Sequence, residues 1–212
     1  ILSLIIISFT LYRSFLSFSL DDKFIFFVFS LLLTSLILIN FPLRNFFSNF
    51  KVVFITAIFP VKEFIFIHLS IFLTPISTAF TWFVLNILGF NAYMRGQEIF
   101  LGEGGIDVTF GCSGSEQIIF TLTSMLVLNL LLPFKRIKLF YFQIIISVLI
   151  TFIVNIIRLS ILVVFVESYN SKNFSVFHLF HDSTGSLIFA LISTALSCEV
   201  YKRLYKLDKL KL

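Results

Sequence analysis

Three polar motifs interrupt the long apolar runs of this sequence, and each carries a group that could take part in acyl transfer. The stretch Gly-Cys-Ser-Gly at 111–114 places Cys112 directly before an apolar run. The stretch Asn-Ile-Ile-Arg at 155–158 places Arg158 inside a second run, and His181 stands just before a third. A thiol, an imidazole and a cation can together attack a carbonyl, move the proton and stabilise the developing charge.

Cys112 is the candidate nucleophile. A strand-like segment leads into a tight turn and then into an apolar helix, and a turn of this kind exposes its central side chain. At a helix N-terminus a thiolate is stabilised by the helix dipole and by free N–H groups, which could also hold an oxyanion. Ser113 and Ser115 are expected to cap the helix, and Glu116 either offsets the dipole or contacts a substrate. The alternative is a small buried cysteine without a chemical role.

Arg158 lies within an apolar run, where inserting an arginine into a bilayer costs about 2.5 kcal/mol or more. An arginine in such a place is a candidate for function. Asn155 is one helical turn earlier on the same face, so it is expected to fix the guanidinium. The alternative is an arginine whose side chain extends to the lipid headgroups.

His178 and His181 are one helical turn apart, and either could shuttle a proton near neutral pH. Two histidines without a further histidine or cysteine nearby are a weak signal for zinc, so no metal is predicted. The alternative is a pair of interfacial histidines that bind headgroups or water.

The composition predicts an all-α fold, namely a polytopic bundle of transmembrane helices. Of the 212 residues, 58% are hydrophobic and 13% are charged, whereas about a quarter of the residues are charged in soluble domains. The stretch 44–62 has too short an apolar core to cross, so it is expected to be interfacial or re-entrant. About six spans are predicted, at 1–20, 24–41, 64–88, 115–132, 139–166 and 183–201.

The fifth predicted span is longer than a bilayer requires, so it must tilt, protrude or break. Before the fourth span, residues 96–110 predict a small extracytoplasmic β-hairpin, because apolar residues alternate on both sides of a Gly-Glu-Gly-Gly turn. A single membrane domain is predicted over residues 1–212, with N-terminal helices at 1–88, a catalytic core at 89–201 and a basic cytoplasmic tail at 202–212.

Basic residues favour the cytoplasmic side of a membrane. The loop 133–138 and the tail 202–212 are rich in lysine and arginine, so both are predicted to lie inside. It follows that Cys112, Arg158 and His181, which are far apart in the sequence, lie at one outer face. The lipid bilayer is therefore an expected partner, and nucleic acid is not, because no basic patch is interleaved with solvent-exposed aromatic residues.

The same topology separates the two cysteines, Cys112 and Cys198, by about 30 Å across the membrane. A disulfide needs Cα atoms within about 7 Å, so both thiols are predicted to be unpaired.

Together these motifs resemble those of the exosortase/archaeosortase family of integral-membrane cysteine transpeptidases. The resemblance covers roughly residues 90–190. Family members often carry alanine before the cysteine, where Gly111 stands here. The residues that carry the resemblance are Cys112, Ser113 and Gly114 after the hairpin, Asn155 and Arg158 at the end of a span, and His181 four residues before Gly185 at the start of the last span.

The resemblance implies an enzyme of a prokaryotic inner membrane, with its active site facing the periplasm or exterior. Its substrates would be exported proteins whose C-terminal signal joins a short motif such as Pro-Glu-Pro, a transmembrane helix and a basic tail. Cys112 would form a thioester that a surface amine or a glycan acceptor resolves. Arg158 would stabilise the transition state, and His181, or its rival His178, would act as acid and base. No cofactor is implied.

Other function classes remain open at this stage. A transporter or channel would use Arg158 and the histidines to line an ion path, but such proteins place polar residues near the midplane in broken helices, and here they cluster at one end. A non-catalytic assembly protein would carry a Cys112 thiol of ordinary reactivity. A thiol oxidoreductase would need a second accessible cysteine, and Cys198 is predicted to lie on the other side of the membrane.

Overall fold

A computed structural model describes residues 2–16, 50–167, 180–181 and 183–210, together with single helical positions at 28, 31–32, 35 and 39. The chain divides into two parts, residues 1–65 and 66–212, and the candidate site lies in the second. The fold is mostly helical. Its long helices are α1 (Leu2–Leu16), α2 (Phe50–Ile87), α3 (Ser115–Leu131), α4 (Ile137–Glu167) and α5 (Ser183–Leu210).

Two stretches of the described helices are long and apolar enough to cross a membrane, Phe64–Ile87 in α2 and Ile137–Val166 in α4. Helix α3 and the Ser3–Arg13 stretch of α1 are apolar but shorter. Most of the predicted second span, 24–41, lies outside the described residues. The count of about six spans therefore stays a prediction.

Two helices extend beyond the limits that hydropathy predicts. Residues 50–62 form the first turns of α2, which continues to Ile87, so this segment is joined to the third predicted span by one helix. The membrane-length stretch begins at Phe64, and the interfacial or re-entrant placement of residues 44–62 stays a prediction. An apolar profile does not distinguish the start of a long helix from a short helix of its own. The basic segment predicted as a tail is helical to Leu210.

The last turns of α5 are held by the loop that joins α3 to α4. The buried carboxylate of Asp208 accepts a hydrogen bond from the backbone N–H of Lys135 at 2.6 Å and lies 3.6 Å from Arg136. The hydroxyl of Tyr201 donates to the carbonyl of Leu132. The basic loop therefore sits at the end of the bundle where α3 ends, α4 begins and α5 ends.

A three-stranded antiparallel sheet precedes α3, in the order β1 (Tyr93–Arg95), β2 (Glu98–Leu101) and β3 (Gly104–Asp107). The predicted hairpin is confirmed as β2 and β3, which pair Ile99 with Ile106 across the turn. Strand β1 was not predicted, because three exposed residues show no alternation.

The apolar face of the sheet covers one end of the helix bundle. Ile99, Leu101 and Val108 pack with Leu85 of α2 and with the last turns of α4. Gly104 allows this contact, because a Cβ there would lie 2.8 Å from the carbonyl oxygen of Val166. The last turns of the fifth predicted span thus lie beneath the sheet, and α4 continues without a break.

Polar side chains join α3, α4 and α5, which pack against one another. The hydroxyls of Thr121 and Thr194 are 3.2 Å apart, and the side chain of Asn129 donates to that of Gln143 at 3.2 Å. Interhelical hydrogen bonds of this kind stabilise helix packing where surrounding lipid offers no partner. They fix the register of α3 against α4, and this register determines which side chains meet at the sheet end of the bundle.

Candidate active site

The turn that carries Cys112 lies beneath the sheet. Phe110–Cys112 form one turn of 3-10 helix, and α3 begins three residues after the cysteine. Cys112 is 7% exposed and belongs to the apolar cluster under the sheet, whereas Phe110 and Gly111 beside it are exposed. Both cysteines are free, as predicted. The thiol is therefore largely buried and is preceded in the chain by two exposed residues.

Two side chains from distant helices hold this turn in place. Nδ2 of Asn155 in α4 donates to the carbonyl oxygen of Cys112 at 3.1 Å. Oγ of Ser77 in α2 donates to the carbonyl oxygen of Ser113 at 2.8 Å. Both side chains are fully buried. The prediction that Asn155 fixes the guanidinium of Arg158 is wrong: its amide nitrogen instead binds the backbone of the candidate nucleophile.

Ser77 was missed by sequence reasoning, because one serine in an apolar helix carries no signal by itself. A signal was present in its neighbours, since small polar residues recur at helical spacing along α2. The structure buries all of this stripe: Ser70, Thr74, Ser77, Thr78 and Thr81.

The predicted caps of α3 are displaced by one residue. The N-cap is Gly114, whose φ of +85° is left-handed, and Ser115 is the first helical residue. Ser113 stabilises the turn before the cap: its hydroxyl donates to the carbonyl of Phe110 at 2.6 Å and accepts the N–H of Ser115 at 3.3 Å. The left-handed glycine delays the helix start, which is why neither serine is the N-cap.

Arg158 is buried in the bundle, with 1% of its surface exposed. Its Nε donates to the carbonyl of Phe180 at 3.3 Å, and one terminal nitrogen makes a longer contact, 3.5 Å, to the carbonyl of His181. An arginine that extends to the lipid headgroups does not fit this placement. The side chain instead binds the backbone of the segment that precedes α5.

The structure brings His181 to this end of the bundle through its backbone, and its side chain is exposed. Gly185 is buried in the first turns of α5. Glu116 is exposed on the first turn of α3. His178 lies outside the described residues. Cys112, Asn155, Arg158 and the backbone of His181 thus lie at one end of the bundle, and proton transfer by His181 stays a prediction.

Among the described residues, no group of three or more histidine, cysteine, aspartate or glutamate side chains is placed to hold a metal ion. The described residues with reactive or charged groups at this end of the bundle are Cys112, Arg158, Glu116 and His181, and the sheet covers part of it.

The glycines on either side of the cysteine turn give a matched test of its geometry. Gly114→Ala is expected to destabilise the protein by roughly 1–2 kcal/mol or more, since a left-handed residue with a Cβ is strained. That Cβ would also lie 2.7 Å from Nδ2 of Asn155. Gly111→Ala is expected to be tolerated, because its Cβ meets nothing closer than the Thr109 hydroxyl at 4.0 Å. Thermal unfolding in detergent measures both variants, and equal losses would contradict this geometry.

One family model covers the whole candidate site. Residues 1–198 match the family model described as Transmembrane exosortase (Exosortase_EpsH). The matched range contains the sheet and every candidate residue discussed above. No curated protein and no solved structure matches the chain.

Proposed function

This chain belongs to the transmembrane exosortase family, and from that premise we propose that it is a membrane cysteine transpeptidase that cleaves the C-terminal sorting signals of exported proteins. Membership of the family agrees with the resemblance that the motifs around Cys112, Arg158 and His181 indicate. It supports a membrane-bound sorting role in general, and the substrate signal and the chemistry below are our proposal.

The observation that carries the proposal is the Cys112 turn: Asn155 binds its backbone, and the buried guanidinium of Arg158 lies at the same end of the bundle. The buried guanidinium places a positive charge at this end of the bundle. It can also stabilise an oxyanion in surroundings where water competes little. The first N–H groups of α3 lack partners within the helix and add donors at the same place.

In the proposed reaction, Sγ of Cys112 attacks the carbonyl carbon at the cleavage site, and the thiol proton passes to the imidazole of His181. Arg158 and the N–H groups of α3 stabilise the tetrahedral oxyanion. Collapse of this intermediate breaks the C–N bond, and His181 returns the proton to the leaving amine. The resulting thioester is attacked by an acceptor amine or by water, which restores the Cys112 thiol.

The charge distribution supports an active site that faces the exterior of a prokaryotic inner membrane. The basic loop at Lys135 and Arg136 lies at the opposite end of α3 and α4 from Cys112. Basic residues favour the cytoplasmic side, so the cysteine end would face outward. A substrate helix followed by a basic tail would take the same orientation, which would bring the motif before the helix to the thiol.

The direct test is to trap the acyl-enzyme. The purified protein is mixed with an exported protein that ends in a short motif, an apolar helix and a basic tail, and the reaction is quenched in acid. Mass spectrometry is expected to find the substrate fragment on the peptide that contains Cys112, in a bond that hydroxylamine cleaves. The Cys198→Ser variant is expected to give the same adduct. Cleavage of the substrate without an adduct on Cys112 would contradict the proposal.

A further inference from the structure

We propose that Gln117 is a positioning residue that connects Arg158 to Asn155, and through Asn155 to the backbone of Cys112. This role rests on the proposed function, because it concerns how the thiol and the guanidinium are held for reaction. This role would explain why a polar glutamine is present at this position, for which neither the hydropathy pattern nor the motifs around the cysteine predict a function.

Gln117 lies in the first turns of α3 and is 1% exposed. Neither Nε2 nor Oε1 of its side chain has a hydrogen-bond partner among the described residues. Two further buried atoms, Oδ1 of Asn155 and Nη1 of Arg158, also have no partner among the described residues. A buried polar atom without a partner costs about 1–3 kcal/mol. Gln117, Asn155 and Arg158 therefore each carry a buried polar atom whose lack of a partner requires an explanation.

The packing of α3 on α4 brings these side chains toward one another. Asn155 packs directly on Gly114, and the contact between Asn129 and Gln143 at the other end makes the two helices antiparallel. Gln117 is one turn after Gly114, and Arg158 is one turn after Asn155. Side chains of a helix lean toward its N-terminus. Gln117 therefore leans back toward Gly114 and Arg158 back toward Asn155, so the two converge on the same contact.

The unpartnered atoms are complementary in their chemistry. Nη1 of Arg158 is a donor, and Oε1 of Gln117 is an acceptor. Nε2 of Gln117 is a donor, and Oδ1 of Asn155 is an acceptor. Nδ2 of Asn155 already donates to the carbonyl of Cys112. A rotation of the Gln117 side chain, or one bridging water with about three hydrogen bonds, would complete a relay from the guanidinium to the backbone of the thiol.

The relay would hold the guanidinium in a fixed orientation. Two nitrogens of Arg158 already bind the carbonyls of Phe180 and His181, so Gln117 would fix the third. A guanidinium held at three points keeps its charge near the Cys112 thiolate, and the thiolate is the reactive form. The competing interpretation is that Gln117 only joins helices, as Thr121 does with Thr194 one turn further along α3.

The rate of Cys112 alkylation by iodoacetamide at pH 7 tests the relay without any substrate. A Cys198→Ser background leaves Cys112 as the only thiol, since the chain has two cysteines. Gln117→Met keeps the side-chain length and removes both polar atoms. It is expected to slow alkylation about tenfold, which corresponds to ~1.4 kcal/mol. The control Thr121→Val is expected to react like the parent protein.

A double-mutant cycle with Arg158 separates positioning from helix packing. If Gln117 acts through the guanidinium, Gln117→Met slows alkylation in the parent protein and has no further effect in an Arg158→Gln background. Arg158→Lys provides a second background in case the first variant does not fold. An equal effect of Gln117→Met with and without Arg158, or an equal loss in Thr121→Val, would overturn the relay. Substrate processing that survives Cys112→Ala would instead refute the proposed function and leave the alkylation result standing.

Discussion

Cys112→Ala is expected to abolish processing of a tagged substrate in cells, with a loss of roughly 10³-fold or more, as is typical when a nucleophile is removed. The thioester can form only at this sulfur in the proposed reaction, and the neighbouring hydroxyls of Ser113 and Ser115 bind each other at 2.9 Å. The measurement is the ratio of full-length to processed substrate on an immunoblot. The matched control is Cys198→Ala, which changes a half-buried thiol in α5 and is expected to leave processing unchanged.

Cys112→Ser separates the chemistry of the thiol from its packing. Cys112 is part of the apolar cluster under the sheet, so an alanine there also removes contacts. Serine is similar in size and keeps the turn, but its hydroxyl does not ionise as a thiol does. We expect processing to be lost in this variant while thermal unfolding stays close to that of the parent. Processing that persists in both the alanine and the serine variants would refute a thioester mechanism.

The sequence was informative about the fold where a local pattern reports burial. Continuous apolar runs predicted the membrane-length stretches in α2 and α4, and alternation predicted the β2–β3 hairpin. The helical segment that ends at Leu210 was not predictable in this way. It is held by Asp208 and Tyr201, whose partners lie in the loop before α4, about 70 residues earlier in the chain. Hydropathy identifies apolar runs and carries no information on contacts between distant parts of the chain.

In the candidate site, too, residues with a local signal were predictable, whereas contacts that depend on helix packing were not. Cys112 could be singled out because a thiol in a turn before a helix N-terminus is a candidate nucleophile, and Arg158 because a cation in an apolar run is costly. Spacing correctly placed Asn155 on the face of α4 that carries Arg158. It could not show that this face meets Gly114 of α3, so the partner of Asn155 was misassigned. Ser77 and Gln117 depend on the same interhelical register, which no pattern within one helix reveals.

Arg158→Lys is expected to lower the rate of acyl-enzyme formation by roughly 10²- to 10³-fold, the loss seen when one oxyanion donor is removed. The guanidinium is a planar fork, and two of its nitrogens are engaged by the carbonyls of Phe180 and His181. A lysine offers a single point charge, so it cannot bind both carbonyls and also face Cys112. The measurement is a single-turnover assay of the thioester, with thermal unfolding recorded on the same samples.

Arg136→Lys is the matched control at the other end of the bundle. Arg136 is half-exposed and lies 3.6 Å from the carboxylate of Asp208, an ion pair that a lysine can also form. We expect this variant to form the acyl-enzyme at the parent rate. If Arg158→Lys lowered the unfolding temperature but formed the thioester as fast as Arg136→Lys does, the role of Arg158 would be structural, namely to bind the segment before α5. The stabilisation of the transition state would then have to come from the N–H groups at the start of α3.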